Sequence, residues 1–298
     1  MTAAGVIPGT TGWHGSAELH SYFVCDVFTA EPLQGNQLAV FVDGRPFSAA
    51  DMQHIAREMN LAETVFLFPP ERGGDVSMRI FTPGTELPFA GHPVLGTAFV
   101  VAAALGAAAV TLETGAGRVP VTVERDGGRI VSGRMKQQVP AWQPFEREPE
   151  LLHALGVTSS KLPVEVYRNG PAHVFVGLTS EQAVAALKPD LAALADLNAA
   201  ANCFAGQGLR WKTRMFYPAG GIPEDAATGS AAGPLAIHLA RHGQINFGDE
   251  IEIRQGEEIG RPSLIRATAA GQGDRIDSVE VGGRALVVAE GRFRITSA

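Results

Sequence analysis

Glu63 lies between Leu61-Ala62 and Thr64-Val65-Phe66, an ionisable group at the start of an apolar stretch. A carboxyl group in such a setting is suited to taking a proton and giving it back. His92 and Asp225 have a different setting. Each adjoins a run of small residues: Phe89-Ala90-Gly91 precedes His92, and Ala226-Ala227-Thr228-Gly229-Ser230 follows Asp225. Each run leads into an apolar segment that reads as a helix. A helix start presents unpaired N–H groups and a partial positive charge, which receive anions, and small residues let a ligand come close to them. If the two starts face one cleft, they can hold a carboxylate there. Taken singly, each residue also has an ordinary reading. Glu63 is then an edge-strand charge, Asp225 a helix cap, His92 a hydrogen-bonded histidine at a turn, and Gly229-Ser230 a tight turn.

Other chemistries lack their residues. His92, Asp225 and Glu63 show none of the short His/Glu spacings of common metal sites, so no metal is expected. His238 and His242 are four apart on the second apolar helix, where burial makes His238 a core residue rather than a ligand. No phosphate loop, dinucleotide fingerprint or Gly-x-Ser-x-Gly elbow is present. Lys136, Lys161, Lys188 and Lys212 lie away from the small-residue loops, which argues against a pyridoxal lysine. A net charge of −7 without a basic cluster excludes a general nucleic-acid binder. Cys25 and Cys203 sit in apolar surroundings and read as buried free thiols. No apolar run reaches membrane-spanning length, so the expected location is the cytoplasm, with no membrane partner.

The elements that must position these residues can be read from pattern. Tyr22–Phe28, Gln37–Val42, Thr64–Phe68, Ser77–Phe81, Ala109–Glu113 and Val119–Glu124 are expected strands. Ser48 opens a helix to about Met59, with Asp51 returning the cap. Pro93 to Leu105 is apolar or small throughout, so its helix must be surrounded by protein. Arg79-Ile-Phe-Thr-Pro83 recurs as Arg214-Met-Phe-Tyr-Pro218, and Gly35 recurs as Gly170; 214 − 79 and 170 − 35 both give 135. A second apolar helix, about Ala231 to Arg241, follows the second copy. Shared spacing of this kind implies two copies of one fold. The expectation is α+β: residues 1–19 a flexible leader, 20–135 and 136–298 two domains, each a barrel-like, mostly antiparallel sheet around a buried helix. The C-terminal strands are allowed to return to the first domain. Gly127-Gly128 and Pro140 to Pro149 read as linker.

Asn60–Thr64 (Asn-Leu-Ala-Glu-Thr), Phe81-Thr82-Pro83, Glu86–Pro93 and Glu224–Ser230 resemble the phenazine-biosynthesis PhzF family, which has the diaminopimelate-epimerase fold. The resemblance runs over about residues 20 to 295 and is closest in the second half. It implies two barrel-like halves with the site between them, a homodimer, no cofactor, and a small carboxylate as substrate. The activity implied is isomerisation of trans-2,3-dihydro-3-hydroxyanthranilate, a proton leaving C3 and returning at C1. On this resemblance Glu63 is the acid/base, and His92 and Asp225 hold the hydroxyl and amino groups and assist. Gly91, Gly229 and Ser230 bind the carboxylate. Ala62 replaces a common serine, and Gln37 a common proline. Neither cysteine stands at a helix start, which speaks against the two-thiol racemisation known in this fold. An isomerase or epimerase acting on another small acid, and a binding protein without catalysis, remain the alternatives.

Overall fold

Val110, Leu112, Val119, Val121 and Val123 fall at alternate positions along two paired strands, Ala109–Thr114 and Gly117–Asp126. A period of two puts all five on one face, and that face covers a helix, Gly91–Leu105, buried from Gly91 to Ala102. The helix is apolar all round because the sheet curls about it. In the second half, Gly229–Arg241 is buried from Gly229 to Ala240 in the same way. The computed structural model describes residues 18–295. Among them are eighteen strands joined in one sheet and six α-helices.

The two halves follow one plan. In the first, Asn36–Phe41 pairs in parallel with Glu63–Phe68, which pairs antiparallel with Val76–Phe81. In the second, Ala172–Gly177 pairs in parallel with Ala200–Gln207, which pairs antiparallel with Arg210–Tyr217. Arg129–Gln137 and Arg275–Gly283 lie side by side and join the halves, with Met135 opposite Val281. Each half also borrows an edge. Ala141–Pro144 follows the first half's last strand but pairs with Glu165–Arg168 of the second. Ala285–Ile295 follows the second half's last strand but pairs with Glu18–Val27 of the first, Glu18 opposite Ile295.

One apolar core runs through both halves and takes in residues of both central helices. Outside the first barrel, the helix Ala49–Met59 packs Met52 and Ile55 on Phe41, Phe66 and Phe81. It opens with the expected capping box between Ser48 and Asp51. Gly127-Gly128, which read as linker, form the turn of a hairpin, both at positive φ (54° and 84°). Such a two-residue turn suits glycine, and composition alone does not separate it from a linker. Part of the Pro140 to Pro149 stretch is likewise ordered as strand and helix. Of the leader expected over 1–19, residues 1–17 lie outside the described residues, while Glu18 and Leu19 open the first strand.

Candidate active site

The two central helices begin against one another. A Cβ on Gly91 would lie 2.6 Å from both the carbonyl carbon of Gly229 and the nitrogen of Ser230, so only glycine permits this approach. Neither helix carries a side-chain cap at its start, Ala90 and Thr228 making no capping bond. The positive ends of two helix dipoles thus converge on one junction.

Glu63 starts its strand beside this junction, and His92 is the second residue of the first helix. Glu63 Oε2 and His92 Nε2 are 2.7 Å apart, with the two residues 5 % and 4 % exposed. The approach is close but off the line of a straight hydrogen bond. Burial opposes a charge on His92. The Glu63 carboxylate, Asp225 and the main chain of Gln37 outweigh it and raise the imidazole above its ordinary value.

Asn36 ties this pair to Asp225. Its amide nitrogen lies 2.7 Å from Asp225 Oδ1, 3.0 Å from the Ala227 carbonyl and 3.1 Å from His92 Nδ1. A carboxylate and a carbonyl only accept, so they fix the amide's orientation and take its two protons. His92 Nδ1 is then left to keep a proton of its own, in agreement with the raised imidazole. Asp225 Oδ2 accepts from the Thr228 hydroxyl at 2.6 Å, and Gln255 donates to the Asp225 carbonyl at 2.9 Å. These bonds shape the loop that enters the second helix.

The second helix start is held by other groups. Ser230 Oγ lies 2.9 Å from His173 Nε2, and Asn202 Nδ2 lies 3.3 Å from His173 Nδ1. Burial alone pushes His173 down to about 4. Asn169 donates to the Ser230 carbonyl at 3.0 Å and Gln137 to that of Gly229 at 2.8 Å. The Asn169 bond answers a defect in the helix: Pro234, four residues on, has no N–H to offer Ser230.

The structure therefore brings Glu63, His92, Asp225, Gly91, Gly229 and Ser230 to one buried junction. Sequence reading missed Asn36, Asn169, His173, Asn202 and Gln255. Two of these had a signal, since Asn36 follows Gly35 and Asn169 precedes Gly170, the glycines matched by the 135-residue spacing. His173, Asn202 and Gln255 sit within strands, where nothing in the pattern marks them.

Cys25 and Cys203 lie in strands away from both helix starts, with thiols that burial pushes up to about 12. Glu165, His238 and His242 gather at distances a metal ion could span. The shared oxygen, Glu165 Oε2, already accepts from Arg241 at 2.8 Å and from the Tyr167 hydroxyl at 2.9 Å, so it is held within an ion-pair network. A cavity of about 520 Å³ includes Arg134, Arg254 and Arg284 but none of the junction residues. Among the described residues, no helix is long and apolar enough to cross a membrane.

A repeated sheet-and-helix fold with a single carboxyl–imidazole pair at facing helix starts defines a narrow class of protein. The chain belongs to the PhzC-PhzF family of phenazine biosynthesis-like proteins, whose model matches residues 25–291. It is 56 % identical over 275 residues to the trans-2,3-dihydro-3-hydroxyanthranilate isomerase of Pseudomonas aeruginosa, covering 92 % of this chain and 99 % of that protein. It is 53 % identical to the enzyme of the same name from Pseudomonas chlororaphis, with the same coverage. A crystal structure of a PhzF-family phenazine biosynthesis protein from Bacillus anthracis shares the fold, with a TM-score of 0.82 at 24 % identity. That match covers 93 % of this chain and all of the other.

Proposed function

We propose that this chain is a trans-2,3-dihydro-3-hydroxyanthranilate isomerase that uses Glu63 as its acid/base. The observation that carries the reading is the buried Glu63–His92 pair, 2.7 Å apart, at the meeting point of two helix starts. Glu63 takes the proton from C3 of the ring. The electrons of that C–H bond enter the ring, the double bonds shift, and Glu63 returns the proton at C1. The resulting enol relaxes to an amino-ketone. Nothing is oxidised or reduced, so the step needs no electron acceptor.

The remaining groups bind and orient. Gly91, Gly229 and Ser230 receive the carboxylate at the converging helix dipoles. His92 and Asp225 hold the ring hydroxyl and amino groups and assist the transfer. Admitting a six-membered ring between helix starts already in contact requires the two halves to part and close again, which shields the transfer from water. The homodimer and the cytoplasmic location implied by the sequence complete the proposal, and free thiols suit a reducing compartment.

The test is incubation of the purified protein with this substrate in heavy water, following ring absorbance and deuterium in the product by mass spectrometry. Loss of the starting absorbance is expected, with the substrate's own C3 hydrogen retained at C1 and solvent deuterium entering at C4 as the enol becomes the ketone. An unchanged substrate overturns the assignment and leaves another small acid, or binding alone, as the reading.

A further inference from the structure

Ser230 needs a hydroxyl proton to donate if it is to help hold a carboxylate. Among the described residues, its Oγ has one hydrogen-bond partner, His173 Nε2 at 2.9 Å. Either atom of that pair could be the donor, and the choice decides whether the hydroxyl proton is free.

The surroundings settle it. Asn202 Nδ2 lies 2.9 Å from the Ala200 carbonyl, which only accepts, so the nitrogen and not the oxygen of this amide occupies that place. The same nitrogen lies 3.3 Å from His173 Nδ1 and offers it the second amide proton. A proton on Nδ1 would oppose that donor, so Nδ1 accepts and the ring proton sits on Nε2. The ring is buried, 2 % exposed, with no carboxylate in hydrogen-bond contact, and burial holds it neutral. Nε2–H then donates to Ser230 Oγ, whose own proton is turned away from His173.

We propose that His173, held by Asn202 in its Nε2–H form, is a positioning residue that frees the Ser230 hydroxyl proton for the substrate's carboxylate. The inference rests on the reading of Ser230 as a carboxylate contact. It adds a chain of three residues, Asn202 to His173 to Ser230, none of which needs to change protonation during the reaction.

Anthranilate, a stable acid with the same carboxylate and amino arrangement, serves as the probe in calorimetric titrations of the full chain. Ser230→Ala should weaken its binding about ten- to a hundred-fold, the usual worth of one hydrogen bond to a charged group. His173→Leu should weaken it to a similar extent, yet cost nothing more when Ser230 is already alanine. A merely structural role would instead be felt equally in both backgrounds. His173→Gln, which keeps a donor near the Nε2 position, should restore binding to within about two-fold, and thermal melts of each variant control for folding. Independently, ¹⁵N spectra of the free protein should show the His173 proton on Nε2, and a proton on Nδ1 overturns the proposal without any ligand. If anthranilate does not bind, or Ser230→Ala leaves binding unchanged, the carboxylate site itself is refuted and the positioning role falls with it. If Ser230→Ala weakens binding but the His173→Leu loss persists in that background, the positioning role alone is refuted.

Discussion

The two halves pair their strands in the same order, yet they spend the matching positions differently. Phe66 pairs with Arg79 in the first half and Cys203 with Arg214 in the second, so Glu63 in one corresponds to Ala200 in the other. The neighbouring parallel strand places Leu38 opposite Glu63 and His173 opposite Ala200. At the helix starts, Gly91-His92 corresponds to Gly229-Ser230. The first half therefore supplies a carboxyl group and an imidazole, and the second supplies a hydroxyl with an imidazole behind it. A symmetrical fold has become an asymmetrical junction.

The two imidazoles differ for a countable reason. Asn36 has two amide protons and gives both to Asp225 and Ala227, so His92 beside it can carry a second ring proton and pair with Glu63. Asn202 gives one proton to Ala200 and has one left for His173. One histidine is raised and the other lowered, by opposite surroundings within the same fold.

The sharpest way to break this comparison is Glu63→Gln. It keeps the shape of the side chain and removes its basicity. Turnover should fall by about 10³- to 10⁴-fold while anthranilate binding and the thermal midpoint stay close to wild type. A variant with near wild-type kcat would remove Glu63 from the chemistry.

A second contrast lies in the repeated Arg-x-Phe-x-Pro segments. Arg214 makes a bidentate pair with Glu224 at 2.8 and 2.7 Å, reaches the Leu187 carbonyl at 2.8 Å, and is nearly buried. Arg79 makes the same pair with Glu86, both bonds 2.7 Å, but at the half-exposed surface. Arg214→Ala strands a largely buried carboxylate and should cost about 3 kcal/mol in urea unfolding. Arg79→Ala should cost about 1 kcal/mol or less. Equal losses would show that burial is not what separates the two.

A further contrast is one of pH. In the unfolded chain His173 takes up a proton near its ordinary value of 6.5, whereas in the fold it does so only near 4. Its contribution to stability is complete above 6.5 and is lost as the pH falls toward 4, up to roughly 3 kcal/mol. His92, raised in the fold, has the opposite sign, and its contribution fades as the pH rises above 6.5. His173→Leu, which installs the first half's residue, should flatten the acid limb of unfolding free energy measured between about pH 6.5 and 4. An unaltered limb would mean that His173 is not the group being titrated.

Much of this was legible in the sequence because it is local. A helix with no polar face, a capping box, and a motif repeated at 135 residues each report on neighbouring positions, and the strands and both central helices appear where those patterns put them. Family motifs likewise marked Glu63, His92 and Asp225, whose positions the fold gathers. What stayed hidden depends on pairing across the sheet. Asn202 reaches His173 only because two strands 29 residues apart lie in parallel register, and Asn169 is placed by a missing N–H at Pro234. Gly127-Gly128 misled for a related reason, since a hairpin turn and a linker use the same residues.

The exchange of edge strands has a temporal consequence. Glu63 stands two strands in from Glu18–Val27, and that edge is covered only by Ala285–Ile295. During synthesis the first half must therefore wait, its border unpaired, until Ala285–Ile295 has left the ribosome. Neither half can finish alone, and Glu63 stands in the one whose border closes last.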